Sequence, residues 1–385
     1  MNKIRAAVLI APGRYEVQEF EWPKLEDGAL LMKIELSGIC GTDKHTYQGE
    51  TKQYAGTESE TDTPFPIIQG HENVGLIEEL TPAIEESGDF YQAKVKVGDR
   101  IVMCPDMICG KCFYCTHIQG YSWCSKSQCY GNSFTSAQWP HLLGGWAEYM
   151  YLKPGTFFYK VPDNISPKVA VLAELMACAA SLDKLKDFSS YSIEGFTTGD
   201  TVVVFGVGPL GLLHLAKLGI MGAGKIICID KSDYRLALAK KFGADITLNV
   251  GNTTQSERLA LIHSLTGGIG ADVVLHMTNR PEPVIEGIEM LRRGGTLLEM
   301  GNFADTGDVS ISMHRHVLSK NLRLIGLSNH PINAYGPSLK LFDRYAAQYP
   351  FADLVTHEFG LDQAEAAMQM SMSAESGKVV INPWL

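Results

Sequence analysis

The stretch Thr201-Val202-Val203-Val204-Phe205-Gly206-Val207-Gly208-Pro209-Leu210-Gly211 decides the fold of this chain. Its five-residue run Thr201–Phe205, apolar apart from Thr201, predicts a buried strand, and the apolar spacing over Leu210–Leu218 predicts a helix directly after the glycines. A strand over Lys225–Asp230 and a helix over Arg235–Phe242 continue the alternation. Strands that alternate with helices form βαβ units around a parallel sheet. The sequence therefore predicts an α/β, doubly wound domain in this region.

The glycines of this stretch have the spacing GxGxxG, which is a weak signal by itself in a chain with 38 glycines. The context strengthens it, because a strand precedes it, a helix follows it, and Asp230 ends the next strand. In such a turn Gly206 allows a tight bend, Gly208 lets the backbone approach a pyrophosphate, and Gly211 lets the helix pack on the strand. Pro209 and Leu210 follow Gly208 at the start of the predicted helix, whose free N–H groups attract phosphate. The pattern predicts a dinucleotide site.

Asp230 also bears on the choice between NAD and NADP. Its carboxylate can accept both ribose hydroxyls of NAD, whereas its charge repels the 2′-phosphate of NADP. Lys231 beside it carries the opposite charge and weakens this discrimination. We expect NAD as the cofactor, and the alternative is a Rossmann-like turn that binds no nucleotide.

Residues 1 to about 165 differ from this region, because they are rich in short strand patterns. Turns with Gly, Pro and Asp separate apolar runs at Leu30–Leu36, Asn73–Leu80, Arg100–Cys104 and Ala147–Leu152. The polar segment Gly49–Thr63 is predicted to be a surface loop. A helix is predicted over Val169–Leu185, and the tail is predicted to form helices near Ser338–Gln348 and Asp362–Ser371 and a last strand at Gly377–Ile381.

The composition is that of a globular protein of two domains, with 45% hydrophobic and 20% charged residues. Acidic residues outnumber basic ones by 43 to 33, which argues against a nucleic-acid or anionic-membrane partner. We find no long uncharged apolar run and no secretory leader pattern, so a cytoplasmic location is expected.

Five of the nine cysteines fall within 21 residues, which scattered core thiols would not do. The spacing Cys109-x2-Cys112-x2-Cys115-x8-Cys124 is typical of a structural zinc site, because two-residue gaps let thiolates converge on one ion. An iron–sulfur cluster or a group of reduced bystander thiols are the alternatives. Cys129 or Cys104 could replace Cys124 as the fourth ligand.

A second set of potential ligands is dispersed over Cys40, His71-Glu72 and Glu174. Spacing alone does not make these a motif, since a lone histidine, cysteine or glutamate is often an ordinary core or surface residue.

The chain as a whole, however, resembles the zinc-containing medium-chain alcohol dehydrogenase family, in particular its polyol (sorbitol) and threonine dehydrogenase branches. The motifs that carry the resemblance run through nearly the whole sequence in order: Gly38-Ile39-Cys40-Gly41-Thr42-Asp43, Gly70-His71-Glu72-Asn73-Val74-Gly75, Val97-Gly98-Asp99-Arg100-Ile101-Val102, the cysteine cluster, Gly144-Gly145-Trp146-Ala147-Glu148-Tyr149, the glycine fingerprint and Leu291-Arg292-Arg293-Gly294-Gly295. The resemblance implies a β-rich, GroES-like catalytic domain at 1–174, completed by 326–385, and a Rossmann NAD-binding domain at 175–325.

The resemblance also implies roles for the dispersed residues. Cys40, His71 and Glu174 would bind a catalytic zinc, and Glu72 would ligate it or shape its surroundings. Asp43 would orient the ring of His71. Cys178, one helical turn beyond Glu174, is a less favoured ligand. Together with the cysteine cluster this gives two zinc ions per subunit.

The chemistry that follows is oxidation of a secondary alcohol (a polyol, an inositol-like compound or an amino alcohol) to a ketone, with hydride transfer to NAD. Thr42 and His45 would pass the proton to solvent. The alternatives are a zinc-dependent primary alcohol or aldehyde reductase or dismutase, and, more remotely, a non-catalytic scaffold with the same fold. The family implies a homodimer or homotetramer.

Two segments are longer than the family pattern, at Gly49–Thr63 and Asp187–Gly199, and the last gap of the cysteine cluster has one extra residue. Because Gly49–Thr63 departs from the family pattern, the resemblance does not identify the alcohol that is the substrate.

Overall fold

A computed structural model of the chain describes residues 3–53, 55–57, 60–117, 123–124, 126–186 and 195–385. The segment that is longer than the family pattern at 187–199 therefore lies mostly outside the described residues. The contacts divide the chain into two units. The first comprises the chain up to Ala177 together with His330–Leu385, and the second comprises Cys178–Asn329.

The N-terminal part of the first unit is built mainly from strands, as the short apolar runs predict. Its elements are β1 (Ile4–Ala11), β2 (Arg14–Phe20), β3 (Leu30–Gly38), α1 (Gly41–Tyr47), β4 (Lys52–Gln53), β5 (Thr61–Asp62), β6 (Ile67–Ile68), β7 (Glu72–Leu80), α2 (Pro82–Ser87), β8 (Arg100–Met103), β9 (Asp106–Met107), α3 (Phe113–His117), β10 (Gln128–Cys129), β11 (Tyr149–Leu152), β12 (Phe158–Lys160), α4 (Pro167–Ala170) and α5 (Ala173–Ala179).

Two of these predictions need correction. The segment Gly49–Thr63 contains a short antiparallel pair, β4 with β5, and is not entirely loop. The helix predicted over Val169–Leu185 is divided into α4, α5 and a 3-10 helix at Ala180–Leu185.

The second unit alternates strand and helix. Its elements are β13 (Thr201–Phe205), α6 (Pro209–Met221), β14 (Lys225–Asp230), α7 (Asp233–Lys241), β15 (Ile246–Asn249), α8 (Gln255–Leu265), β16 (Ala271–His276), α9 (Pro283–Met290), β17 (Leu291–Glu299), a π-helix at Met313–Leu318 and β18 (Arg323–Gly326). All neighbouring strands are parallel, in the order β15-β14-β13-β16-β17-β18. This confirms the predicted doubly wound α/β fold. The strand order reverses between β13 and β16, where such sheets bind dinucleotides.

The tail adds α10 (Tyr335–Tyr345), β19 (Val355–Phe359), α11 (Ala364–Met372) and β20 (Lys378–Ile381). Its two strands extend the main sheet of the first unit, whose order is β12-β8-β7-β3-β20-β19 with β11 also paired to β3. The pairing of Val380 with Gly38 brings the chain end beside the residue that follows β3. The C-terminal strand therefore helps to build whatever site lies at the end of β3.

Each unit has its own apolar core. In the first unit the fully buried rings of Tyr130, Trp146 and Tyr151 belong to this core. In the second unit the core is formed by the strand side chains, such as Val203 and Ile227, against helix residues such as Ile262 and Ile288. No helix among the described residues is long and apolar enough to cross a membrane.

Candidate active site

Cys40 lies where β3 ends and α1 begins, in the extended conformation of a helix N-cap. Its backbone N–H donates to Asp43 Oδ2 over 2.8 Å. Asp43, in the first turn of α1, is fully buried, and its Oδ1 has no hydrogen-bond partner among the described atoms. The helix start therefore fixes the Cys40 backbone and leaves one buried carboxylate oxygen of Asp43 without a hydrogen bond.

His71 and Glu72 enter the site at the start of β7, the strand that pairs with β3. The register places Glu72 directly opposite Gly38, and any side chain at Gly38 would collide with the Glu72 carboxylate. Gly70 has φ +94°, and a side chain there would collide with Ser37 and Trp146. Gly38 is therefore required to make room for the Glu72 carboxylate, and Gly70 is required by its backbone conformation and its packing against Ser37 and Trp146.

The ligand atoms of Cys40, His71 and Glu72 all lie within 4.8 Å of one another. His71 and Glu72 are buried and Cys40 is partly buried. A thiolate, an imidazole and a carboxylate at this spacing form a donor set that suits zinc. The residues present therefore fit a divalent metal ion, as the resemblance predicts.

Asp43 does not hold the His71 ring with a direct hydrogen bond. The distance between Asp43 Oδ1 and His71 Nδ1 is 3.9 Å, while Asn132 Nδ2 lies 3.5 Å from the same nitrogen. Burial by itself lowers the pKa of His71, but Cys40 and Asp43 outweigh it and raise that pKa well above its usual value. The surroundings of the ring thus favour positive charge.

Glu174 lies in the first turn of α5, and its Oε1 lies 3.5 Å from His330 Nδ1. Burial raises the pKa of Glu174, and the Glu72 carboxylate adds to this, whereas His330 and His71 oppose it. Glu174 is thus close enough to interact electrostatically with the other proposed ligands. It is not a member of the group within 4.8 Å that contains Cys40, His71 and Glu72, and its role as a ligand stays a prediction.

Lys378, at the start of β20, was not among the predicted site residues. Its buried ammonium donates to both oxygens of Glu72, over 2.7 and 2.5 Å, and to the carbonyl of Ile39 over 3.0 Å. The ion pair neutralises Glu72 inside the protein. The signal that could have found it is a charged residue in an otherwise apolar C-terminal strand.

Thr42 and His45 both lie on α1. Thr42 Oγ1 is 3.9 Å from Cys40 Sγ, and His45 Nδ1 is 2.6 Å from Glu50 Oε2. His45 has a carboxylate partner that the sequence did not indicate. Both residues lie close enough to the Cys40 turn for the proposed proton path. Their role in proton transfer stays a prediction.

The cysteine cluster assembles in the combination that its spacing predicts. The sulfur atoms of Cys109, Cys112, Cys115 and Cys124 lie within 4.8 Å of one another. Burial raises the pKa of the Cys124 thiol, although the backbone N–H groups of Cys109 and Lys126, which donate to its Sγ over 3.3 and 3.4 Å, oppose this. Cys104 and Cys129 are not members of this group, so the geometry favours Cys124 as the fourth ligand.

The glycine turn of the second unit connects β13 to α6 as predicted. Gly206 has φ +91°, and a side chain on Gly211 would collide with the Gly206 carbonyl oxygen. A side chain on Gly208, the N-cap of α6, would meet no atom within 4 Å. Gly206 and Gly211 are therefore required by the fold, whereas packing gives no reason for the absence of a side chain at Gly208.

Asp230 ends β14 and faces this turn. Its two oxygens accept from the backbone N–H groups of Val207 and Ser232, each over 2.9 Å. These bonds fix the carboxylate at the carboxyl edge of the sheet, where a ribose is expected. Lys231, the next residue, is exposed and its carbonyl accepts from Asn249.

A buried network at the same edge was also missed by sequence reasoning. His276, at the end of β16, is 2.7 Å from Glu299 Oε2 and 2.9 Å from Thr278 Oγ1. Glu299 Oε1 accepts from the backbone N–H groups of Gly301 and Asn302. The network holds the loops after two central strands in fixed positions next to the glycine turn.

Comparison with known proteins agrees with this geometry. The model of the alcohol dehydrogenase GroES-like domain matches residues 26–163, and the model of the zinc-binding dehydrogenase domain matches residues 206–344. A 5-exo-hydroxycamphor dehydrogenase of Pseudomonas putida is 31% identical over 385 residues, with 100% of both chains covered. An erythritol/L-threitol dehydrogenase of Mycolicibacterium smegmatis is 29% identical and covers 99% of this chain and 98% of its own.

A solved alcohol dehydrogenase of Thermotoga maritima is 30% identical, with a TM-score of 0.88, over 99% of this chain and 100% of its own. Both domains, their order and the full length of the chain thus match enzymes of one kind. The chain belongs to the zinc-dependent medium-chain alcohol dehydrogenase family and is an NAD(P)-linked oxidoreductase.

Proposed function

We infer that this protein oxidises a secondary alcohol to a ketone with NAD as the hydride acceptor, using one catalytic and one structural zinc ion. The observation that carries the proposal is the buried convergence of the Cys40 thiol, the His71 imidazole and the Glu72 carboxylate within 4.8 Å. The names of the relatives describe dehydrogenation of secondary alcohols, which supports the substrate class. Which alcohol is used depends on loops such as Gly49–Thr63.

Charge balance supports Cys40, His71 and Glu174 as the ligands of the catalytic ion. Lys378 already neutralises Glu72, so the thiolate and the Glu174 carboxylate remain to balance a divalent cation. A neutral total charge matters because burying net charge is expensive. Glu72 would then stabilise the site from beside the ligands.

When bound, the zinc ion acts as a Lewis acid on the substrate oxygen and lowers the pKa of the alcohol. The chain's own residues then have to remove the proton. Thr42 offers a hydroxyl next to Cys40, and His45, whose Nδ1 lies 2.6 Å from Glu50 Oε2, can take the proton to solvent. At the glycine turn, Gly208 and the start of α6 bind the pyrophosphate, and Asp230 orients the ribose.

The experiment that tests the proposal measures NADH formation from a panel of polyols, inositols, threonine and simple secondary alcohols, with primary alcohols and aldehydes beside them. The Cys40→Ser variant should lose one zinc equivalent and nearly all activity while the fold is kept. Faster turnover of primary alcohols would favour the alternative reductase activity. Unimpaired turnover in Cys40→Ser would refute the zinc mechanism.

The choice of cofactor has a separate test. Because the Asp230 carboxylate repels a 2′-phosphate, kcat/KM with NAD should exceed kcat/KM with NADP. The Asp230→Ser variant should show a smaller ratio of these two values. A higher kcat/KM with NADP for the unmodified protein would show that the role given to Asp230 is wrong. Sedimentation of the same sample tests the homodimer or homotetramer that the family leads us to expect.

A further inference from the structure

A third cluster of metal-ligand side chains lies in the first unit, apart from the two described above. The ligand atoms of Cys104, Asp106 and His330 lie within 4.8 Å of one another. Their side chains are almost completely inaccessible, with 0%, 5% and 1% of the residue surface exposed. Neither the group around Cys40 nor the four-thiol cluster includes any of them.

The chain builds this cluster from distant segments. Cys104 directly follows β8, Asp106 begins β9, and His330 is the first residue of the tail segment of the first unit. Cys104 Sγ and His330 Nε2 are 3.8 Å apart, and Asp106 Oδ2 is 4.0 Å from the same nitrogen. His330 Nε2 is therefore the atom on which the thiol and the carboxylate converge.

Hydrogen bonds do not complete this cluster. The Tyr335 hydroxyl lies 3.0 Å from His330 Nε2, and a zinc ion bound to that nitrogen would displace it. Asp106 Oδ2, however, is buried and has no hydrogen-bond partner among the described atoms, and the contact from Cys104 Sγ to the Asp106 carbonyl is long, at 3.9 Å. A buried carboxylate oxygen that faces a thiol and an imidazole without a donor calls for a cation.

The spacing suits zinc in particular. With Zn–S of about 2.3 Å and Zn–N and Zn–O of about 2.0 to 2.1 Å, tetrahedral geometry places sulfur about 3.5 Å from nitrogen and nitrogen about 3.4 Å from oxygen. The observed separations of 3.8 and 4.0 Å exceed these values by about 0.3 and about 0.6 Å. Small side-chain movements would close the cluster around one ion.

Two further features support the assignment. A thiolate from Cys104 and a carboxylate from Asp106 balance the two charges of the ion while His330 stays neutral. The other ring nitrogen, His330 Nδ1, lies 3.5 Å from Glu174 Oε1. A carboxylate on the far nitrogen of a ligating histidine is the usual arrangement around protein-bound zinc.

We propose that Cys104, Asp106 and His330 form an additional zinc site in this protein. Glu174 then links this site to the catalytic centre. One oxygen of its carboxylate accepts a hydrogen bond from His330 Nδ1, and the other oxygen is available to the catalytic ion. The site is independent of the proposed substrate, because its ligands and its test do not involve turnover.

The test counts zinc in the purified full-length protein by inductively coupled plasma mass spectrometry and by native mass spectrometry. The unmodified protein should hold one equivalent more than the catalytic and four-thiol sites account for. Cys104→Ser should lose that one equivalent. Cys228→Ser is the matched control, since Cys228 is a fully buried thiol in β14, away from any of the groups of possible metal ligands, and its zinc content should not change.

Asp106→Asn provides a second variant that keeps the shape of the side chain if Cys104→Ser does not fold. This variant should also lose one equivalent of zinc. When zinc is added back after chelation, the unmodified protein should bind three equivalents and the Asp106→Asn variant two. Only two equivalents in the unmodified protein would overturn the proposal. An undiminished count in both variants would overturn it as well, because the extra ion would then lie elsewhere.

Discussion

Lys378 donates to both oxygens of Glu72 and to the Ile39 carbonyl, and all of these atoms are buried. Replacement of Lys378 by Met should therefore leave Glu72 as an uncompensated buried charge. Breaking a buried pair in this way typically costs about 3 to 5 kcal/mol. We expect a loss of this size in the free energy of unfolding in urea, measured with zinc bound.

The matched control is Lys168→Met, because Lys168 is half exposed and lies 3.6 Å from Glu358 in the same unit. A surface pair is worth at most about 1 kcal/mol, so this variant should unfold almost as the unmodified protein does. Equal effects of the two substitutions would contradict the importance given to Lys378. Restoration of stability by Glu72→Gln in the Lys378→Met background would support it.

His45 should matter for turnover rather than for stability. If it carries the substrate proton to solvent, His45→Gln should reduce kcat mainly at low pH, where hydroxide cannot replace the base. Steady-state rates across the pH range measure this. His263→Gln, a change of a partly exposed histidine in the second unit, is the control, and identical pH profiles for the two variants would remove His45 from the proton path.

At the scale of single elements, the glycine turn before α6 separates the demands of the fold from those of the ligand. A methyl group on Gly211 would collide with the Gly206 carbonyl, whereas one on Gly208 meets nothing within 4 Å. Gly211→Ala should therefore reduce the free energy of unfolding of the cofactor-free protein by about 2 kcal/mol or more. This loss should be seen as a lower melting temperature. Gly208→Ala should leave that temperature nearly unchanged and weaken NADH binding instead.

Fluorescence titration with NADH and thermal unfolding, applied to both variants, distinguish these effects. Equal NADH affinity in Gly208→Ala and the unmodified protein would show that the pyrophosphate does not approach the backbone there. An unchanged melting temperature in Gly211→Ala would mean that α6 can move away from β13 without cost.

The elements also show where sequence reasoning succeeds and where it stops. The parallel sheet and the strand carrying Glu72 were predictable, because their apolar runs are bounded by glycines and acids. The division of Val169–Leu185 into α4, α5 and a 3-10 helix was not, since apolar spacing identifies a buried face but not how tightly the backbone winds. Lys378 and His330 could not be assigned, because their partners are brought close only by the pairing and packing of the folded tail.

At the scale of the whole molecule, the proposed zinc ligands and the dinucleotide motif are separated between the two units. Cys40, His71, Glu174 and the four-thiol cluster all belong to the first unit, and the turn from Gly206 to Gly211 with Asp230 belongs to the second. A ligand that binds only the folded form stabilises it by RT ln(1 + [L]/Kd), about 2.7 kcal/mol at a hundredfold excess over Kd. Removal of zinc and addition of NADH should therefore act on different parts of the chain.

Hydrogen exchange read out on peptides measures this separation. A chelator should speed exchange in β3, β7 and β20, whose backbone amides surround the proposed catalytic ligands. NADH should slow exchange in β13, β14 and α6 of the zinc-loaded protein, and it should still do so after chelation, because the glycine turn and Asp230 contain no proposed metal ligand. Equal changes in both units under either treatment would contradict this expectation, since they would mean that the chain opens only as one cooperative whole.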